Sequence, residues 1–310
     1  MIIEKVFVSV IVCSHNPNPF YLRRVIESLR AQSLPRHLWE LLVIDNASAE
    51  PLFRTLDIGW HPGGRHLTEG RLGLTHARLR GIEASRGEIL VFVDDDNVLN
   101  PDYLEVAHWI GLKWPMLGAW SGRIDPECET EPAEWCRRYL NLLAIRSPLW
   151  DMWTNVFDVW GAMPYGAGMC VRRKVALAYR EAAERDPRHL SLDRIGKVLS
   201  SGGDIDISMH AYDMGLGTGV FIDLRLRHLI AAERLTVDYL CRLVEAQNYS
   251  DTMLRHIHGK WPNSKTPFPI LTLLRWLSAS RERGPHRRIA YARIRGIARA
   301  AKEIAETTKR

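Results

Sequence analysis

Along the first hundred positions, short apolar runs alternate with stretches of helical spacing. The segments 7–13 (FVSVIVC), 40–45 (ELLVID) and 89–93 (ILVFV) are brief, β-branched and free of polar alternation, the pattern of strands buried on both faces. Between and after them, 20–32, 74–85 and 102–114 space their apolar residues as helices do, with Pro101 just before the last. Strands alternating with helices predict an α/β fold: a Rossmann-like, mostly parallel central sheet with helices on both faces. Farther on, 166–171 and 219–224 read as strands and 173–184, 204–214 and 236–258 as helices, with Gly215 closing the second helix. The stretch 125–160 is rich in Pro, Trp and acids and predicts helix mixed with loops. The stretch 186–203 predicts a mobile segment ending in Gly202-Gly203. A Pro-containing linker, 262–269, leads into a C-terminal helical extension.

Charge changes this picture in one place. The chain of 310 residues has a net charge of +6, but the last 36 residues hold 11 Lys/Arg against 3 Glu. The basicity therefore belongs to the tail, and a nucleic-acid partner is not expected for the body. In the tail Ile289, Ile294, Ile297, Ala301 and Ile304 recur near helical spacing among arginines, preceded by the apolar stretch 270–277. Two readings stay open: a basic amphipathic helix on an anionic membrane surface, or a basic helix packed on the main domain. The five cysteines are scattered without a C-x-x-C pair, which argues against a disulfide framework or cysteine zinc site and for a reducing compartment. With no secretory leader or membrane-length apolar run expected, the expected location is cytoplasmic, peripheral on the inner face of a membrane if the tail binds lipid.

In open α/β sheets ligands bind at the carboxyl ends of the strands. Here those ends are polar: Cys13-Ser14-His15-Asn16, Asp45-Asn46 and Asp94-Asp95-Asp96. If the strands are neighbours, imidazole, amide, hydroxyl and carboxylates converge on one crevice suited to a nucleotide. Three adjacent carboxylates repel one another unless a cation compensates, and oxygen ligands suit Mg²⁺ or Mn²⁺. The plainer alternative is an acidic turn that caps the next helix.

The order and spacing of VSVIVCSHN (8–16), LLVIDNAS (41–48), GLTHARLRGIEASRGEILVFVDDDN (73–97), GAGMCVRR (166–173) and SGGDIDISMHAYDMGLG (201–217), followed by LRLRHL ending at Leu229, resemble the family-2 glycosyltransferases of GT-A fold over roughly residues 6–230. The resemblance implies an inverting enzyme that moves a sugar from a nucleoside-diphosphate donor, with UDP-sugar favoured, to a hydroxyl of a saccharide or glycolipid acceptor. It places Cys13, His15 and Asn16 around the nucleotide base, Asp45 on the base, and Asp94 and Asp95 on the nucleotide, Asp95 at the ribose. Asp96 and His228 fall on metal-ligand positions for Mn²⁺ or Mg²⁺. Arg71 and Arg78 are candidates for the base or diphosphate, Asp204 falls on the general-base position, and Asp206, Trp150 and Trp160 are candidates for the acceptor. Gly203 stands where the family usually has Glu, with Asp206 as the expected substitute. The implied organisation is a catalytic domain over 1–232, its nucleotide-binding half to about residue 100, and an extension over 233–310. Two rivals remain at this level: a nucleotidyltransferase making nucleotide sugars, and a non-catalytic nucleotide-sugar or membrane-binding protein.

Overall fold

The computed structural model describes residues 6–260 and 268–307. The expected linker therefore lies outside the described residues, apart from its last two positions. In chain order the elements are β1 (Val8–Ser14), α1 (Pro19–Arg30), β2 (Trp39–Asn46), α2 (Leu52–Thr55), β3 (Gly64–Glu69), α3 (Leu74–Ala84), β4 (Ile89–Asp94), β5 (Asn97–Leu99), α4 (Tyr103–Lys113), β6 (Leu117–Cys128), α5 (Glu134–Arg137), β7 (Met152–Thr154), β8 (Cys170–Arg172), α6 (Arg173–Arg185), α7 (Gly203–Asp213), β9 (Gly217–Ile230), α8 (Val237–Ile257), α9 (Phe268–Arg281) and α10 (Gly284–Thr307).

The strands form one mixed sheet in the order β3-β2-β1-β4-β8-β6-β9-β5, with β7 added on β9. β1 lies between β2 and β4, parallel to both, so the apolar runs are neighbours and end together. Every residue of β1 and β2 is buried. Helices cover both faces, and two apolar clusters result, one centred on Val10, Val43 and Val91 and the other on Ile11, Ile44 and Phe92. Local chemistry starts the first helix where the pattern predicts: Pro19 occupies its first turn and the Asn18 side chain accepts from the Phe20 N–H.

Four strands were not expected. β3 (GRHLTE) is a half-buried edge strand with one apolar residue, and β5 and β7 have three residues each. β6 contains Gly122 and Pro126 and follows β9 through two register shifts, which erase any simple period. The expected mobile stretch is packed rather than free: a short 3₁₀ turn spans Pro187–Ser191, and His189, Leu192, Asp193 and Ser200 are buried.

The tail packs on the domain. Ile289, Ala292, Ile294, Ala300 and Ile304 of α10 are buried, and α10 lies along α8. A Cβ at Gly296 would stand 2.1 Å from the Glu245 carbonyl oxygen, so the two helices touch backbone to backbone. Arg288 and Arg295 pair with Asp238 and Glu245 of α8. Of the two readings left open for the tail, the packed helix is the one seen: Ile289, Ile294 and Ile304 face protein, and Ile297 is half-buried. One apolar cluster joins Cys136, Tyr139 and Ile230 with Leu240 and Val244 of α8 and Ile289 of α10, so the two halves of the expected organisation share a core.

Candidate active site

The carboxyl ends of β1, β2 and β4 open into a cavity of about 780 Å³, within the range of small-molecule sites. Its lining includes Cys13, Ser14, His15, Asn46 and Asp94 to Asp96 at the strand ends, and Arg78, Asp193, Arg194 and Asp204. Trp160 lines it as well, and α8 and α10 contribute Gln247, Asn248, Asp251 and Arg293.

Backbone register assembles the acidic corner. β5 runs antiparallel to β9 and sets Asn97 opposite His228, which brings His228 beside Asp96. His228 Nε2 lies 3.2 Å from Asp96 Oδ2, and Arg234 Nη1 donates to the same oxygen at 2.9 Å. Asn97 donates to Asp96 Oδ1 at 2.9 Å. Burial works against the Asp96 charge, but His228 and Arg234 prevail and hold it below the usual carboxylate range. Asp95 goes the other way. Burial, then the charge of Asp96, push it up to about 7 despite the Ser14 hydroxyl donating at 2.5 Å. Asp94 is raised too, by burial and by Asp96.

The corner holds donor atoms that a divalent cation would use, Asp96 Oδ2 and His228 Nε2. Adjacent ligands of an octahedral ion lie about 3 Å apart, close to the Asp96–His228 spacing. Arg234 Nη1 lies against both atoms, 2.9 Å from Asp96 Oδ2 and 3.2 Å from His228 Nε2, so an ion taking one carboxylate oxygen and one imidazole nitrogen here would displace that guanidinium.

Asp204 stands in the first turn of α7. Its Oδ2 accepts from the Gly166 N–H at 2.8 Å and its Oδ1 from the Ile205 N–H at 2.9 Å. Both oxygens keep a lone pair free for a further partner. Arg78 is buried and donates to Asp193 Oδ2 at 2.5 Å. Position 203 admits no side chain here: a Cβ would meet Asp193 Oδ2 at 2.3 Å and Arg78 Nη1 at 3.0 Å. The carboxylate missing from position 203 is thus replaced in space by Asp193, not by Asp206.

Several expected site residues lie elsewhere. Asp206 is fully buried and held by His189 and His258, away from the cavity. Asp45 is buried outside the lining, its two oxygens accepting from the Ser48 and Leu52 N–H groups. Arg71 is turned out of the cavity by its forked pair with Glu69. Trp150 is exposed outside the lining, whereas Trp160 remains in it. Asn16 does not line the cavity but donates to His15 Nε2, while His15 Nδ1 contacts the Asn46 carbonyl, so the ring is held from both sides. The Cys13 thiol is pushed up to about 12 by burial and is inert as a nucleophile. Sequence reasoning missed Asp193, Arg194 and Arg234. Only the position of Arg234, six residues after His228, hinted at its role; the other two sit in a stretch without periodicity.

Residues 9–108 match the model described as Glycosyl transferase family 2. EpsH of Bacillus subtilis (strain 168), which carries a glycosyltransferase name, is 32% identical over 100 residues, 32% of this chain and 28% of that protein. The protein y4gI of Sinorhizobium fredii (strain NBRC 101917 / NGR234) is 36% identical over 101 residues, 31% of this chain and 11% of that protein. The chain therefore spans well under two thirds of the length of these curated relatives. The structure of S. aureus TarS 1-349 superposes with a TM-score of 0.51 at 11% identity, covering 96% of this chain and 92% of that one, which establishes a shared fold. The chain is thus an α/β protein of GT-A-like fold whose residues 9–108 match the Glycosyl transferase family 2 model.

Proposed function

We propose that this protein is an inverting glycosyltransferase that moves a sugar from a nucleoside-diphosphate donor, UDP-sugar first, to a hydroxyl of a saccharide or glycolipid. The observation that carries the reading is that one cavity holds both an acidic corner at the strand ends and a carboxylate, Asp204, in the first turn of α7. The His15 ring, fixed by Asn16 and the Asn46 carbonyl, borders the base. Asp95 takes the ribose hydroxyls. Asp96 and His228 hold Mn²⁺ or Mg²⁺, which when bound neutralises the charge of the departing diphosphate. Arg234 and Arg194 stand beside that group, and guanidinium forks suit phosphate oxygens. Asp204 accepts the acceptor hydroxyl proton while that oxygen displaces the nucleotide from the anomeric carbon, and one displacement inverts the configuration. Asp193, fixed by Arg78, offers its remaining lone pairs to acceptor hydroxyls, with Trp160 as an apolar sugar platform.

Calorimetry with UDP tests the donor side. Affinity is expected to rise at least tenfold on adding Mn²⁺, and Asp96→Ala to abolish that gain. Equal UDP affinity with Mn²⁺ and with chelator, unchanged in Asp96→Ala, defeats the assignment. Consumption of a nucleoside triphosphate with a sugar phosphate would point instead to nucleotide-sugar synthesis.

Among the described residues no helix is long and apolar enough to cross a membrane. The proposed attachment is peripheral, on the cytoplasmic face, and moves from α10 to α9, where Leu273, Leu274 and Leu277 are each more than half exposed. In sedimentation with anionic liposomes, Leu274→Glu/Leu277→Glu is expected to lose most binding while wild type binds. If both stay in the supernatant at low salt, no membrane role holds.

A further inference from the structure

Behind the cavity wall, where α7, the 187–191 turn and the end of α8 meet, lies a cluster that the proposed reaction does not use. His189, Asp206, His210 and His258 each offer one ligand atom, and these atoms all lie within 4.8 Å of one another. The ring centroids of the three histidines are 6.0, 5.9 and 5.7 Å apart, a nearly equilateral triangle. Imidazoles bound to one tetrahedral Zn²⁺ at 2.0–2.1 Å would place their centroids about 5.3 Å apart and their ligand atoms about 3.3 Å apart, so the widest-spaced ligand atoms must close in by no more than about 1.5 Å.

Hydrogen bonding explains part of this cluster but not all of it. Asp206 accounts for two histidines: Oδ2 contacts His189 Nδ1 at 2.7 Å and Oδ1 contacts His258 Nε2 at 2.8 Å. His210 is left over. It is 8% exposed, and its Nε2 is buried without a hydrogen-bond partner. Its Nδ1 is turned toward Asp213 at 3.9 Å, which leaves Nε2 as its ligand atom. A third imidazole buried against a satisfied His–Asp–His set is an unpaid desolvation cost without a ligand and a fourth donor with one.

We infer that His189, Asp206, His210 and His258 form a structural Zn²⁺ site. Three imidazole nitrogens and one carboxylate oxygen are ligands that Zn²⁺ accepts, and four protein donors with no open position give the closure of a structural rather than a catalytic site; the corner at Asp96, with three carboxylates and one imidazole, is richer in oxygen. The site is built from the 187–191 turn, α7 and α8, so zinc clamps the segment that carries Asp193 to the helix that carries Asp204 and to the C-terminal helices. Asp206 thereby holds the acceptor wall in place instead of touching acceptor.

The test is metal content and Co²⁺ spectroscopy on the full chain. Wild type is expected to carry about one chelator-removable Zn²⁺, and Co²⁺ in its place to give the intense visible absorption of a tetrahedral ion. His210→Ala is expected to weaken Zn²⁺ binding by more than about 100-fold, since loss of an outer partner alone costs 10–100-fold. His210→Gln, which fills the space better, should behave alike. Asp96→Ala should retain both the zinc and the Co²⁺ band, which separates this site from the donor metal. Zn²⁺ removal should lower Tm in wild type and leave His210→Ala unmoved. The inference is overturned if wild type binds no stoichiometric Zn²⁺ on titration, if Co²⁺ gives only the weak spectrum of an octahedral ion, if His210→Ala and His210→Gln bind as wild type does, or if Asp96→Ala loses the metal. The wild-type titration and spectrum decide even if a histidine variant fails to fold.

Discussion

Asp204→Asn is expected to lower donor turnover, as transfer or as UDP-sugar hydrolysis, by about 10² to 10⁴-fold, the usual contribution of a general base. UDP affinity in the presence of Mn²⁺ should change by less than about threefold, because Asp204 is not among the residues proposed to hold the nucleotide. The substitution is not silent structurally. Asp204 accepts two backbone N–H groups, from Gly166 and Ile205, and an amide can accept only through its oxygen. One lost hydrogen bond is worth roughly 1 kcal/mol, far too little to explain a 10³-fold loss through unfolding. A Tm measured alongside the rate separates the two. An active Asp204→Asn enzyme would move the base elsewhere, and Asp193→Asn is then the variant to assay, since Asp193 and not the buried Asp206 shares the cavity wall with Asp204.

Deleting residues 285–310 is expected to collapse the protein. The deletion strips Ile289, Ile294 and Ile304 from the face of α8, together with buried Ala292 and Ala300. Each isoleucine contributes roughly 1.5–3 kcal/mol by burial, and a whole domain is stable by only about 5–15 kcal/mol. The truncated chain should be insoluble or melt at least about 10 °C lower, and it would also lose Arg293 from the cavity wall. Gly296→Val is the single-residue counterpart: its first side-chain carbon would collide with the Glu245 carbonyl, so it should destabilise in the same direction. A truncated form that melts like wild type would mean that α10 only rests on the surface.

The contrast between α10 and α9 shows where sequence reading stopped. Both are basic and partly apolar, and periodicity marks the stripe on α10 without naming its partner. A stripe of isoleucines satisfies lipid and protein alike. Only the tertiary contact with α8 decides, and it leaves the exposed leucines on α9 instead.

What the sequence determined by itself was local. Uninterrupted β-branched runs specify strands buried on both faces. A strand ending in polar residues specifies where a ligand can bind, because the topology of parallel sheets sends all such ends to one side. That was enough for the existence of β1, β2 and β4, for Asp94 to Asp96 at a strand end, and for Asp204 at a helix start, while their adjacency came from the sheet. The tertiary structure decided everything that depends on which distant residue fills a given volume. Arg234 comes onto Asp96 because β9 returns past β5. Asp193 occupies the space that Gly203 leaves open, and Asp206 points back into three histidines spread over 70 positions of chain. Such pairings are long-range, carried by single side chains, and leave no periodicity in the sequence for a reader to find.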